Sequence, residues 1–196
     1  MRQAMVAAVA ILSVAGVTAG PGVGGQAQGG WVTLFDGTSL NGWNRVGDAN
    51  WEIVDGAVQA TKGGTSFLIT SRSYDDFQIT LEFWASDDAN SGVFIRCQDP
   101  KNITAMNAYE VNIYDKRPDP AYRTGAIVDV SKPMVNLNAG GRWNTFEITA
   151  QGTKLIVVMN GTKTVDVDHK GHVRGPLALQ YGAGTVRFRN VKVRTL

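Results

Sequence analysis

Beyond residue 30 the apolar residues of this chain recur at every second position, and nowhere do they hold a helical period for three turns. The stretch DFQITLEFWAS sets Phe77, Ile79, Leu81 and Phe83 on one side and Gln78, Thr80, Glu82 and Trp84 on the other. The stretch from Ser91 to Asp115 alternates twice. Val93, Ile95 and Cys97 oppose Phe94, Arg96 and Gln98; after a polar loop, Tyr109, Val111 and Ile113 oppose Glu110, Asn112 and Tyr114. Side chains that alternate in this way belong to strands with one face on a core. Turn dipeptides punctuate the runs: Asp36-Gly37, Asn41-Gly42, Asp55-Gly56, Gln151-Gly152 and Asn160-Gly161. About ten short strands separated by such turns, with no helix among them, predict an all-β chain folded as a two-sheet antiparallel sandwich. The apolar phase switches at Asn190 within TVRFRNVKV, which predicts a β-bulge there. From Lys116 to Gly141, with Pro118, Pro120 and Pro133, no strand is expected; loops of that length are often functional.

The first twenty residues, MRQAMVAAVAILSVAGVTAG, carry one arginine, an apolar middle and small residues at the exit. That is the layout of a secretory signal peptide. The expected organisation is a signal peptide over 1–27, a flexible leader over 28–30 and one domain over 31–196, in a protein that is secreted or periplasmic. The net charge of +2 includes Arg2, so the domain itself is close to neutral. Without basic clusters it has no electrostatic reason to bind nucleic acid, and no membrane insertion is expected once the leader is removed. The single cysteine, Cys97, excludes an internal disulfide and reads as a small buried hydrophobe on the inward phase of its strand.

The polar faces of the central stretch carry chemistry. Arg96, Gln98, Glu110 and Asn112 with the rings of Phe94 and Tyr114 are a sugar-binding set, and a mid-strand carboxylate among amides is a candidate acid or base. A salt-bridged outer sheet face, with Arg96 paired to Glu110 across neighbouring strands, accounts for the same residues. Trp84, Phe94, Tyr114 and Tyr181 are candidate stacking surfaces for a pyranose ring, and Glu82 shares the face of Trp84. The run EVNIYD also reads as a relaxed E-x-D-x-x-E signature. With a bulge it would gather Glu110, Asn112 and Asp115 on one face; without one, Asp115 starts the loop. His169 and His172 form H-x-x-H in a loop with no third ligand near, so a solvated loop is expected and no metal or cofactor.

Seven segments taken in order resemble a known family: LFDGTSLNGW, NSGVFIR, AYEVNIYD, RTGAI, RWNTFEI, VMNG, and LALQY followed by VRFRNVKV. Together they run from about Trp31 to Leu196 and are similar to the 3-keto-disaccharide hydrolase domain. The resemblance implies a jelly-roll sandwich of the concanavalin A-like lectin/glucanase type, with a ligand-binding sheet. It also implies a hydrolase acting on glycosides oxidised at carbon 3, with Glu110 as base, Arg96 stabilising an enolate, and Gln180 among the groups that hold the oxidised carbohydrate. One departure is visible. Where family members often carry a histidine two residues after the glutamine, this chain has Gly182. A non-catalytic carbohydrate-binding module of the same fold is the alternative that this departure favours. Secreted material is expected to begin at or shortly after Gly20, near Gln28; an intact mass that retains Met1 would contradict the leader assignment.

Overall fold

The computed structural model describes Met1 and residues 30–196, so the expected signal peptide lies outside the described residues. Thirteen strands follow in chain order. The first five are β1 (Val32–Phe35), β2 (Trp43–Val46), β3 (Glu52–Val54), β4 (Ala57–Ala60) and β5 (Ser66–Tyr74). Next come β6 (Phe77–Ala85), β7 (Asn90–Ile95), β8 (Tyr109–Ile113) and β9 (Trp143–Gln151). The last four are β10 (Lys154–Met159), β11 (Thr162–Asp168), β12 (Gly175–Ala183) and β13 (Val186–Thr195). Among the described residues the one helical turn is a 3-10 turn at Pro120–Tyr122, and no helix is long and apolar enough to cross a membrane.

The strands pair into two antiparallel sheets. One has five strands in the order β2-β5-β12-β7-β8; the other has eight, running β11-β10-β9-β6-β13-β4-β3 with β1 added on β13. This is the two-sheet jelly-roll sandwich expected from the alternation. Two hairpins turn where the dipeptides predict. Asp55 and Gly56 have φ of 50° and 72°, and Asn160 and Gly161 have 50° and 77°. Positive φ at both central residues matches the twist of the flanking strands.

Between the sheets lies one large core. Phe77, Ile79, Leu81 and Phe83 of β6 meet Leu68, Leu179, Val93, Ile95, Val111 and Ile113 of the other sheet, all essentially inaccessible. A one-residue slip of β7 would move Val93 and Ile95 to the outside at roughly 1.5–3 kcal/mol each, so the core fixes the register and with it both faces. The bulge expected at Asn190 is present: its φ is 53°, and the pairing of β13 with β6 shifts between Arg189 and Lys192.

One residue breaks the alternation. Arg96, directly after β7, has a φ of 54°, in the left-handed region that non-glycine residues seldom occupy. Alternation alone would send Arg96 to the outer face beside Glu110 and Cys97 into the intersheet core. The structure does the opposite. The Arg96 guanidinium is 1% exposed and spends every N–H: Nε and Nη2 on the Asp75 carbonyl, Nη2 on Asp76 Oδ1, and Nη1 on the carbonyls of Gly152 and His172. It thereby ties the β5–β6 turn, the β9–β10 turn and the segment before β12 together. Cys97 turns outward into a second cluster with Phe67, Ile69, Phe94, Ile103, Ala108 and Ala178. There burial pushes its thiol up to about 12, so hardly any thiolate is present at neutral pH.

Removing the guanidinium takes the donor from the carbonyls of Asp75, Gly152 and His172 at once. Arg96→Ala is expected to lower the unfolding free energy by roughly 2–4 kcal/mol without changing the chemistry of the folded fraction. Urea denaturation paired with activity per folded molecule checks this; an unchanged midpoint would refute the clamp.

Candidate functional site

The outer face of the five-stranded sheet is laid out in rows by the strand pairing. One row reads Val46, Phe67, Gln180, Gly92, Asn112, and the next reads Asn44, Ile69, Ala178, Phe94, Glu110. The apolar members join the Cys97 cluster, into which the β7–β8 connection contributes Ile103 and Ala108. At the β8 end the face is polar. Gly92 is central there, because a Cβ on it would sit 3.2 Å from Glu110 Cγ, 3.2 Å from the Val111 carbonyl oxygen and 3.3 Å from Glu110 Oε1. The missing side chain leaves room for Glu110 to fold diagonally over the sheet between Asn112 and Gln180.

The carboxylate of Glu110 finds no hydrogen-bond donor among the described residues, and the residue is half-buried. Burial is the largest influence on its pKa, raising it to about 7; Arg117 pulls it down and Asp129 pushes it up. Beside it are two amide oxygens without partners. Asn112 Nδ2 donates to the Tyr122 carbonyl, which can only accept, so the orientation of the amide is fixed and Oδ1 is left unpaired. Gln180 Oε1 is also buried and unpaired. Both residues are buried overall, at 1% and 9% exposure. Unpaired buried acceptors are costly, and two of them flanking a desolvated carboxyl make a site prepared for hydroxyl donors.

The rest of the site comes from the long connection between β8 and β9, which sequence reasoning identified only as a long loop. This segment lies along β8: the Val128 N–H donates to the Glu110 carbonyl and the Asn112 N–H to the Ala126 carbonyl. It brings Tyr122 and Asp129 to the site, and it places the Arg117 guanidinium 5.8 Å from the ring centroids of both Tyr114 and Tyr122. Asp129, with a φ of 59°, sits beside the Tyr122 hydroxyl and raises its pKa.

Of the residues singled out from sequence, Glu110, Asn112 and Gln180 share this face, with Tyr114 at its margin. The others lie elsewhere. Arg96 is the buried clamp described above and makes no ion pair with Glu110; its carboxylate partner is Asp76 at 3.1 Å. Asp115 is not brought round by a bulge, because the pairing of β7 with β8 is regular throughout. Its two oxygens accept from Thr124 Oγ1 at 2.5 Å and from the Ala139 and Gly140 N–H groups at 2.7 and 2.9 Å, so it anchors the long loop.

Glu82 and Trp84 are on the outer face of the eight-stranded sheet. There Glu82 holds Arg189 at 2.6 Å and Asn190 at 2.5 Å, and Trp84 pairs with Trp143. Phe94 is buried edge-to-face against Phe67, and Tyr181 is in the intersheet core against Trp51; neither ring is available to a sugar. Gln98 is exposed in the loop after β7, donating to the carbonyls of Arg96 and Arg174. His169 and His172 are half-buried rather than fully solvated, with both rings against Tyr109 at 5.5 and 5.0 Å between centroids. At Gly182 a Cβ would meet the Asn90 carbonyl oxygen at 2.8 Å and Asn90 Nδ2 at 3.0 Å, so Asn90 takes the space of a side chain there.

Comparison with known proteins places this site in a family. The profile of the 3-keto-alpha-glucoside-1,2-lyase-like domain matches residues 30–194. The chain belongs to that family. A curated relative, the 3-keto-disaccharide hydrolase of Bacteroides thetaiotaomicron, is 28% identical over 151 residues, which cover 61% of this chain and 52% of that protein. The chain therefore spans about half the length of the relative it matches. Two candidate glycosyl hydrolases of known structure from Parabacteroides distasonis superpose with TM-scores of 0.75 and 0.71 at 20% and 25% identity. Each match covers 85% of this chain, against 94% and 100% of those chains. The carbohydrate-binding module CBM66 of Bacillus subtilis superposes with a TM-score of 0.62 at 19% identity, covering 76% of this chain and 93% of the module, and shares the fold.

The raised pKa of Glu110 makes a stability prediction. Between its ordinary value of 4.5 and about 7 the folded protein holds a proton that the unfolded chain has released. The stabilisation is therefore complete below 4.5 and is lost as pH rises through 7. At pH 8 Glu110 should cost on the order of 2–3 kcal/mol. Glu110→Gln should match the wild type at pH 4 and exceed it at pH 8 in urea titrations; a variant less stable at pH 8 would show that Glu110 is paired.

Proposed function

We propose that this domain cleaves 3-keto-glycosides, with Glu110 as the base. The observation that carries the reading is a half-buried, unpaired carboxyl between two unpaired amide oxygens. A ketone at carbon 3 acidifies the hydrogen on carbon 2. Glu110 takes that hydrogen as a proton, and the C–H electron pair becomes the C2–C3 double bond of an enolate, with the charge on the carbon 3 oxygen. The enolate then collapses: the carbon 3 carbonyl re-forms, the C2–C3 pair shifts into a C1–C2 double bond, the C1–O bond breaks, and the aglycone leaves with the proton that Glu110 took. Water adding across the new double bond gives the free 3-keto sugar.

One base suffices for this sequence, which fits the commitment of Asp115 to the loop. Asn112 Oδ1 and Gln180 Oε1 accept from hydroxyls of the ring and set its orientation. The relative's name, hydrolase, and the family's description, 1,2-lyase, correspond to product leaving after or before water adds. Secretion, as the leader implies, would expose the domain to glycosides outside the cytoplasm.

A second reading, a non-catalytic carbohydrate-binding module, draws on the fold shared with CBM66 and on Gly182. The two part on one experiment: purified protein incubated with a 3-keto-glycoside and with its unoxidised counterpart. Release of the aglycone from the oxidised compound alone supports catalysis, with a rate that rises as pH passes through 7 and Glu110 loses its proton. Glu110→Gln should lower that turnover on the order of 10²-fold or more. Binding of either sugar without release supports the module.

A further inference from the structure

The elimination leaves a negative charge on the carbon 3 oxygen, and sequence reasoning assigned that charge to Arg96. All five N–H groups of Arg96 are already engaged, in a different part of the molecule. Arg117 presents the opposite case. Its backbone carbonyl accepts from Arg123 Nε at 3.0 Å and its backbone N–H reaches the Tyr114 carbonyl, but among the described residues its guanidinium makes neither a hydrogen bond nor an ion pair. What holds it is aromatic: the rings of Tyr114 and Tyr122, each with its centroid 5.8 Å from the guanidinium carbon. Tyr122 is itself fixed, because its carbonyl accepts from the Asn112 amide in the sheet below. A guanidinium held over ring faces rather than by acceptors keeps its charge and leaves its N–H groups open.

We infer that Arg117 is the group that receives the enolate oxygen, directing its open N–H edge at the carbon 3 oxygen while Glu110 takes the neighbouring hydrogen. The inference rests on the proposed keto-glycoside reading and deepens it. Base and cation act on adjacent atoms of one ring, so they must stand close without pairing with each other. Glu110 and Arg117 meet that condition: Arg117 lies over the ring of Tyr122, whose carbonyl the Asn112 amide holds two residues along β8 from Glu110, yet among the described residues no ion pair joins them. A direct pair would quench both groups, since each charge would be spent on the other rather than on the substrate. Asn112 links the two, since one amide presents an acceptor beside Glu110 and fixes the backbone of Tyr122, one of the rings that hold Arg117.

Enolate formation can be read separately from cleavage by following loss of the carbon 2 hydrogen of a methyl 3-keto-glucoside in deuterated water. Wild-type protein is expected to exchange that hydrogen and release methanol. Arg117→Met should lower both rates by about 10²-fold or more. It should also move the acidic limb of the pH–rate profile to higher pH, because Glu110 loses a cation that holds its pKa down. Arg117→Lys, which keeps the charge without the planar N–H edge, should restore most of the pH profile and only part of the rate. Wild-type exchange with an unchanged rate and profile in Arg117→Met would overturn the role of Arg117 alone. No exchange and no cleavage by the wild type would overturn the keto-glycoside reading and the inference with it.

Discussion

The left-handed turn of the backbone at Arg96 is the constraint on which the arrangement of the five-stranded sheet depends. Up to Ile95 the chain obeys strict alternation, with Val93 and Ile95 in the core. At Arg96 a positive φ sends the guanidinium inward, where three carbonyls and Asp76 consume it, and sends Cys97 outward into the cluster with Phe67 and Phe94. Strain of this kind persists only where the surroundings over-determine it. Five hydrogen bonds to three separate segments do so here. The consequence reaches the site: by packing with Phe94 and Ala178, the segment carrying Cys97, Ile103 and Ala108 caps the apolar part of the outer face. The polar end near Gly92 is left uncapped.

Within that polar end, a missing side chain does the positioning. Gly92 lies between Gln180 and Asn112 in one row, and Glu110 fills the space above it. Burial then supplies the basicity, because a carboxylate removed from water without donors holds its proton more tightly. A salt-bridged Glu110 would be a weaker base at neutral pH and an inert strand brace. The site is thus less stable than an apolar or paired one would be, which is the ordinary relation between a working residue and the fold that carries it.

The sandwich was legible because its signals are local. Alternation in β6, β7 and β8, the Asp-Gly and Asn-Gly turns, and the phase switch at Asn190 each depend on a few adjacent residues. Alternation assigns a side chain to one of two faces of its own strand, but it does not say which sheet that strand joins. For that reason Glu82 and Trp84 were correctly placed on the polar face of β6 and wrongly grouped with Glu110, which lies on the other sheet. Arg96 was misplaced because the sign of one φ angle leaves no mark in composition. Asp115 stayed open between a bulged site and the start of the loop, because its partners, Thr124, Ala139 and Gly140, come from a loop whose path the sequence does not reveal. Arg117, Tyr122 and Asp129 escaped notice for the same reason. The one available signal was the length of their loop.

The commitments of the other carboxylates near Glu110 bear on the reaction. Displacement at an unactivated glycosidic carbon uses two carboxyl groups, one protonating the leaving oxygen and one attacking or activating water. Here Asp115 is committed to three donors and Asp129 sits on the exposed loop beside Tyr122. A substrate already oxidised at carbon 3 needs less, because the carbonyl turns bond cleavage at carbon 1 into the collapse of an enolate. The demand moves from a second acid to a base near neutrality and a place for negative charge on oxygen. On the proposed reading Glu110, half-buried and without a donor, would meet the first demand, and Arg117, without an ion pair among the described residues, would meet the second. The same pair would do little for an intact glycoside, which offers neither an acidic hydrogen at carbon 2 nor an oxygen able to take the charge. Selectivity for oxidised sugars on this account comes from the chemistry the site lacks as much as from the contacts it makes.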